Sequence, residues 1–159
     1  MLIIRVPYRI PLSGGGTDLS FYYKKKGGLF ISSTFNQYIF VSILLRPIDN
    51  KILIQSSNTQ ITDDIFLIKN KIIKETLRYF KIKNKIQVGT FATLPSSTGL
   101  GSSSSSTVGL VHAILKLFKK KRTKKKIAKI AYLIERKRLK FTGGLARPDI
   151  RFLWWLNKS

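Results

Sequence analysis

No cysteine occurs among the 159 residues, which excludes disulfide bridges, thiolate metal sites and a cysteine nucleophile. A single histidine, His112, leaves almost no material for a Ser-His-Asp triad or a histidine metal cage. No run approaches the about 18 consecutive apolar residues that a bilayer-spanning helix needs. The N-terminus, Met-Leu-Ile-Ile-Arg-Val-Pro, opens directly as a strand and lacks the basic region and cleavage site of a secretory signal. The expectation is a cytoplasmic protein without a membrane partner. Its length suits one domain, or a fragment of a larger enzyme.

Acidic residues are the other scarcity. Seven Asp and Glu stand against thirty Lys and Arg, for a formal net charge of +23. Such a balance normally points to nucleic acid or an acidic surface. Twenty-one of the thirty are lysine, and Ile and Asn are also abundant, a bias that an AT-rich coding sequence produces by itself. The interleaved arginine and aromatic residues of strand recognition are missing, so a nucleic-acid partner is not the favoured expectation. The hydrophobic fraction, 43%, and the charged fraction, 23%, are those of a globular chain.

Residues 2–10 read as a strand in which Pro7 suits an edge or a bulge. Residues 29–35 and 37–45, β-branched and aromatic with period-two character, read as two strands. A turn at 46–50 leads to a strand at 51–57. Residues 63–81 carry Ile65, Ile68, Ile72, Leu77 and Phe80 near one face of a helix, with Asp63 or Asp64 as its cap. Residues 85–94 alternate as a strand. An apolar helix follows over 108–118, then the basic break 119–126 (KKKRTKKK), then an amphipathic helix from about 124 to 140. The order is that of an α+β domain.

The segment from Leu94 to Ser106 is the strongest chemical feature. A strand runs through Pro95, Thr98 and Gly99-Leu100-Gly101 into Ser102, Ser103, Ser104 and two further serines, and then into an apolar helix. Glycines let backbone N–H groups turn toward one point, and the helix start adds unpaired donors and the positive end of its dipole. Serine hydroxyls there can bind phosphate oxygens or a Mg²⁺ attached to them. The Walker pattern is absent, because no Gly-Lys-Ser/Thr follows. A flexible Gly/Ser linker is the competing reading, opposed by the apolar structure on both sides.

Three further features stand beside it. Gly14-Gly15-Gly16-Thr17-Asp18 is either a ligand-approaching loop, with Asp18 accepting hydrogen bonds from sugar hydroxyls, or a tight turn with Asp18 as a helix cap. Glu135, a lone carboxylate on a very basic helix, is either an exposed ion pair or a Mg²⁺ ligand; spacing alone favours the ion pair. His112 reads as a packed or capping residue, and Trp154-Trp155 as core or interface.

Taken together, these segments resemble the N-terminal part of the GHMP-type small-molecule kinases, and among them the branch acting on sugar phosphates of the heptose 7-phosphate kind. The resemblance covers residues 1 to about 145. It rests on Arg5-x-Pro7-x-Arg9-Ile10, on Gly14 to Asp18 with the following Tyr-Tyr…Gly27-Gly28, and on Leu94-Pro95-x-x-x-Gly99-Leu100-Gly101 with its serines. It implies a domain like ribosomal protein S5 domain 2, and ATP and Mg²⁺ as cofactors, with a sugar phosphate as the small-molecule partner. Gly16, Thr17 and Asp18 would hold the sugar, and Arg9 would serve catalysis beside the acceptor. Pro95, Thr98 and Gly99 to Ser104 would wrap the ATP phosphates, with Ser103 and Glu135 on Mg²⁺. The S5-like fold also keeps a basic nucleic-acid-binding module as the alternative.

Family members continue with a C-terminal domain, expected here to be absent, and place Gln-Asp-Gln and then Phe-Gly-Gly after the helix that holds Glu135; that Asp is their expected base. This chain instead reads Ala146-Arg147-Pro148-Asp149-Ile150-Arg151-Phe152-Leu153-Trp154-Trp155. Ala-Arg-Pro-Asp can be written GCA AGA CCA GAT, which without its first G becomes CAA GAC CAG, or Gln-Asp-Gln. Tryptophan has one codon, TGG, so the shifted frame must give Gly-Gly at the tryptophan pair, and CTT for Leu153 supplies Phe, at the family's separation of four residues. Residues 1–145 are therefore expected to be an ATP-binding domain and 146–159 an out-of-frame tail that leaves the chain without its base. A genuine short tail whose tryptophans pack on the core is the alternative.

Overall fold

The structure is a computed structural model that describes residues 1–17, 19–95 and 100–139. Alternation of branched apolar residues with polar ones builds one five-stranded sheet from β1 (Leu2–Ser13), β2 (Ile31–Leu45), β3 (Ile52–Gln55), β4 (Thr59–Thr62) and β5 (Ile86–Ala92). The spatial order is β1-β2-β5-β3-β4. Every neighbouring pair is antiparallel except β3 with β5. Helix α1 (Ser20–Lys26) follows the glycine loop, α2 (Lys71–Tyr79) joins β4 to β5, and α3 (Ser102–Leu117) and α4 (Lys124–Leu133) follow β5. Among the described residues, no helix is long and apolar enough to cross a membrane.

Three elements depart from the sequence expectation. Residues 29–35 and 37–45 are not two strands, because β2 runs unbroken from Ile31 to Leu45. Pro7, which has no N–H to donate, pairs with Tyr38, and the next partners are Arg9 and Thr34. Three residues of β2 thus face Tyr8 alone, and the interruption around Asn36 is a bulge inside one strand. The expected helix 63–81 divides. Asp64 caps a single 3-10 turn at Ile65–Leu67, while the Asn70 side chain accepts from the N–H groups of Ile72 and Ile73 and starts α2 afresh. Strand β4, short and polar, carried no periodic signal. Pro7 lies at both of its expected settings, since β1 is an edge strand and is irregular there.

Inward residues of the sheet (Val6, Tyr8, Val41, Ile54, Val88) meet Leu110 and Ile114 of α3 in the main core. On the far side of α3, Val111 and Leu115 pack with Ile127, Ala131 and Ile134. Helix α3 is therefore apolar nearly all round, as expected for a buried helix. It approaches the sheet closely at Gly109, where a Cβ would lie 2.8 Å from Val41 and 2.9 Å from Val6.

Two predictions follow from this packing. Gly109→Val overfills the β1–α3 contact and lowers unfolding free energy by about 1–3 kcal/mol, measured by denaturant titration. His112 is held below its ordinary pKa by burial, with Lys116 adding like-charge repulsion. Below about pH 6.5 the unfolded chain takes up this proton more readily than the folded one. Stability present above that pH therefore falls as the pH drops through the folded value. Between pH 7.5 and 5.5 this decline is expected in the parent chain and absent in His112→Gln, with thermal unfolding as the readout.

Candidate functional site

The start of α3 is the structural centre of the site. Its N-cap is Gly101, in the left-handed conformation at φ 73°, with no side chain to cap the helix. The first helical hydrogen bond runs from Ser105 N–H to the Gly101 carbonyl at 3.0 Å. The N–H groups of Ser102, Ser103 and Ser104 precede that bond and have no partner inside the helix. A left-handed turn feeding a helix start aims such donors together, which suits an anion.

Glu135 meets this turn from below. Ser103 Oγ donates to Oε1 at 3.4 Å and Ser104 Oγ to Oε2 at 3.1 Å, and Thr107 Oγ1 lies 2.9 Å from both Oε1 and the Ser103 carbonyl, sharing its one proton between them. The residue is only 4% exposed, and among the described residues no lysine or arginine forms an ion pair with it. The exposed ion pair favoured by spacing is therefore wrong. The reason is the helix face it occupies. Helix α4 buries Ile127 and Ala131, and Glu135, eight and four residues further on, falls with Ile134 on that same face, where the helix passes into a π-helical turn, Ile134–Arg138. The neighbouring Arg138 reaches Glu75 instead.

Strand β1 brings the other motif alongside. Arg9 lies against Gly101, where a Cβ would come 3.1 Å from its Nε, and its guanidinium carbon sits 5.2 Å from the centre of the Phe30 ring. Ser105 Oγ donates to the Pro7 carbonyl at 3.3 Å, and the buried Tyr8 hydroxyl donates to the Leu94 carbonyl at 3.2 Å. The part of β1 opposite the β2 bulge is thereby tied to both ends of the serine segment. At the end of β1, Gly14 turns at φ 80°, where any Cβ would collide with the Leu29 carbonyl. The Thr17 hydroxyl lies 2.7 Å from both the Gly14 and Leu29 carbonyls, so its donor is used inside the loop. Gly16 has φ 89° and its carbonyl accepts from Leu19 N–H.

The structure thus brings Arg9, Leu100, Gly101, Ser102, Ser103, Ser104 and Glu135 to one end of α3. Pro95 is exposed beside Leu94. Asp18, Thr98, Gly99 and the segment 146–159 lie outside the described residues. Sequence reasoning missed Thr107, although its spacing of four from Ser103 placed both on one helix face. It also missed Ser105 as the anchor of the Pro7 carbonyl. Among the described residues, no group of three His, Asp or Glu could hold a metal. One carboxylate with hydroxyl oxygens is nevertheless a hard, all-oxygen donor set of the kind Mg²⁺ accepts when phosphate oxygens complete it.

Comparison with known proteins fits this geometry. Residues 67–147 match the GHMP kinases N terminal domain, and the chain belongs to that family. It is 33% identical over 155 residues to the D-glycero-alpha-D-manno-heptose 7-phosphate kinase of Campylobacter jejuni, a match covering 88% of this chain and 44% of that protein. The mevalonate kinase of Methanocaldococcus jannaschii is 36% identical over 66 residues, 40% of this chain and 21% of that protein. A crystal structure of a D-glycero-D-manno-heptose 1-phosphate kinase from Bacteroides thetaiotaomicron superposes with a TM-score of 0.79 at 25% identity. That superposition covers 90% of this chain and 51% of that one. The chain therefore spans about half the length, or less, of the relatives it matches.

Replacing Gly101 with Ala forces a side chain into the left-handed region and toward Arg9. A loss of about 1–2 kcal/mol in unfolding free energy is expected, measured by denaturant titration.

Proposed function

We propose that this chain carries the nucleotide-binding part of an ATP-dependent kinase whose acceptor is a sugar phosphate of the heptose 7-phosphate kind. The observation that supports this reading best is the buried Glu135 carboxylate seated on Ser103, Ser104 and Thr107 at an uncapped helix start. The N–H groups of Ser102 to Ser104, with Pro95, Thr98, Gly99, Leu100 and Gly101 completing the loop, receive the polyphosphate of ATP. Ser103 and Glu135 hold Mg²⁺, which neutralises phosphate charge when bound. The Arg9 guanidinium, packed on Gly101, faces the transferring group as a fixed cation. Gly16 and Thr17 shape the loop that presents Asp18 to sugar hydroxyls. Catalysis of this kind is mainly positioning and charge neutralisation, and the chain supplies both without a covalent intermediate.

The reading includes a deficit. Residues 146–159 are an out-of-frame tail, so the Gln-Asp-Gln that carries the family's base does not occur among these 159 residues. Asp149 comes directly after a proline and off the family position, so it does not replace the base.

Two outcomes test this. Saturating Mg-ATP raises the melting temperature of the 159-residue chain, equivalent to about 2.7 kcal/mol at a hundredfold excess over Kd, and Glu135→Gln removes the Mg²⁺-dependent part of that shift. Phosphorylation of a heptose 7-phosphate by the same chain falls at least about 10²-fold below that of a version with the shifted frame restored, the usual contribution of a general base. Absence of any Mg-ATP shift refutes the binding assignment. Equal turnover by the two versions refutes the deficit.

A further inference from the structure

The kinase reading leaves two sequence features unused: the basic break 119–126 and the single histidine. The fold brings both to one cavity of about 420 Å³, which α3 enters at Val108, just beyond Thr107. It lies where the N-terminal half of β1 faces α3 and the start of α4. Its floor is apolar, formed by Ile4 and Val6 of β1, Val108 of α3, and Ile127 and Ala128 of α4. Arg122, from the connection between α3 and α4, and Lys124, the first residue of α4, line it together with His112. Arg5 borders it through β1, but its side chain alternates to the opposite face of the sheet, where its guanidinium carbon is 4.6 Å from the centre of the Tyr38 ring. Arg122 Nη1 donates to the neighbouring Lys121 carbonyl, which leaves the rest of its fork available to a ligand.

Among the described residues, no carboxylate lines this cavity. Two cationic side chains, Arg122 and Lys124, therefore border an apolar floor without an acidic partner among the described residues of the wall. Few polar groups converging on an apolar cleft of this size is the usual form of a small-molecule site. An arginine fork with a lysine beside it matches a phosphate monoester, which is close to doubly charged at neutral pH. A carboxylate would offset only one of the two charges. A neutral apolar ligand would leave both unbalanced.

We infer that this cavity is a second binding site, for a small molecule with an apolar body and a phosphate monoester head. The head meets Arg122 and Lys124, and the body rests on Val108, Ile127 and Ala128. The site is independent of the nucleotide cradle. Its occupant does contact Pro7, whose carbonyl holds Ser105 in the first turns of α3.

The test is calorimetric titration of the 159-residue chain with 1-naphthyl phosphate and, separately, with 1-naphthol, each with and without Mg-ATP. One equivalent of naphthyl phosphate is expected to bind, at least tenfold more tightly than naphthol and unaffected by Mg-ATP. The surface variant Arg122→Ala/Lys124→Ala weakens it at least tenfold, and Ala128→Phe, which fills the floor, abolishes it. The double variant decides the matter should Ala128→Phe fail to fold. Equal affinity for naphthol, indifference to the double variant, or competition by Mg-ATP overturns the proposal. Competition would assign the probe to the serine turn. Equal naphthol affinity would mean that the cavity is an apolar seat for polypeptide. Failure of Mg-ATP to bind would refute the kinase reading alone, because the naphthyl phosphate titration does not depend on it.

Discussion

A carboxylate withdrawn from water costs several kcal/mol unless charge or hydrogen bonds compensate it, and Glu135 is almost wholly withdrawn. Its compensation consists of three hydroxyls and the positive end of α3, with no cation among the described side chains. This constraint organises the surrounding structure. Four residues from two helices must be held in register, and Glu135 falls with Ile134 on the face that packs Ile127 and Ala131 into the core, where the helix passes into the π-helical turn at Ile134–Arg138. A buried negative charge surrounded by oxygen donors and uncapped amides is stable enough to fold and incomplete enough to bind. The same arrangement thus accounts for the burial and for the proposed Mg-ATP chemistry.

The sheet serves that turn. Pro7 and Tyr8, opposite the β2 bulge, hold Ser105 and Leu94, and Arg9, one residue further, packs on Gly101. The bulge takes up the extra residues of β2 while β1 keeps its alternation, a common device near functional sites. Gly109 then brings α3 against Val6 and Val41, so the positions of β1 and the helix are set together. Geometry at the site is in this sense a property of the β1–α3 interface rather than of the serine loop alone.

Much of this was legible in the residues. The apolar alternation of β1, β2 and β5 and the all-round apolarity of α3 follow from solvent exclusion, and both read correctly as elements of an α+β domain. The Gly-Leu-Gly-Ser run announced a helix start without a side-chain cap because its chemistry is local. Glu135 was harder. Its basic neighbours suggest a surface ion pair, yet its spacing of four from Ala131 and eight from Ile127 already places it on the buried face of the helix. Thr107 and Ser105 matter through partners 28 and 98 residues away, so their roles needed the fold. The single strand β2 was hidden for a related reason. A bulge opposite Pro7 looks in one dimension like the end of a strand. The division of 63–81 turned on Asn70 outcompeting Asp63 and Asp64 as the cap of the longer helix.

The claim on which the account rests is that a divalent cation carried by ATP sits between Glu135 and the serine hydroxyls. Manganese, a paramagnetic substitute for Mg²⁺, tests it directly through amide NMR of the labelled 159-residue chain titrated with Mn-ATP. The account predicts that the signals of Ser103, Ser104, Thr107 and Glu135 broaden first and together, while those of β4 are unaffected. Broadening centred on the lysine-rich segment 119–126, or spread evenly over the basic surface, would contradict it.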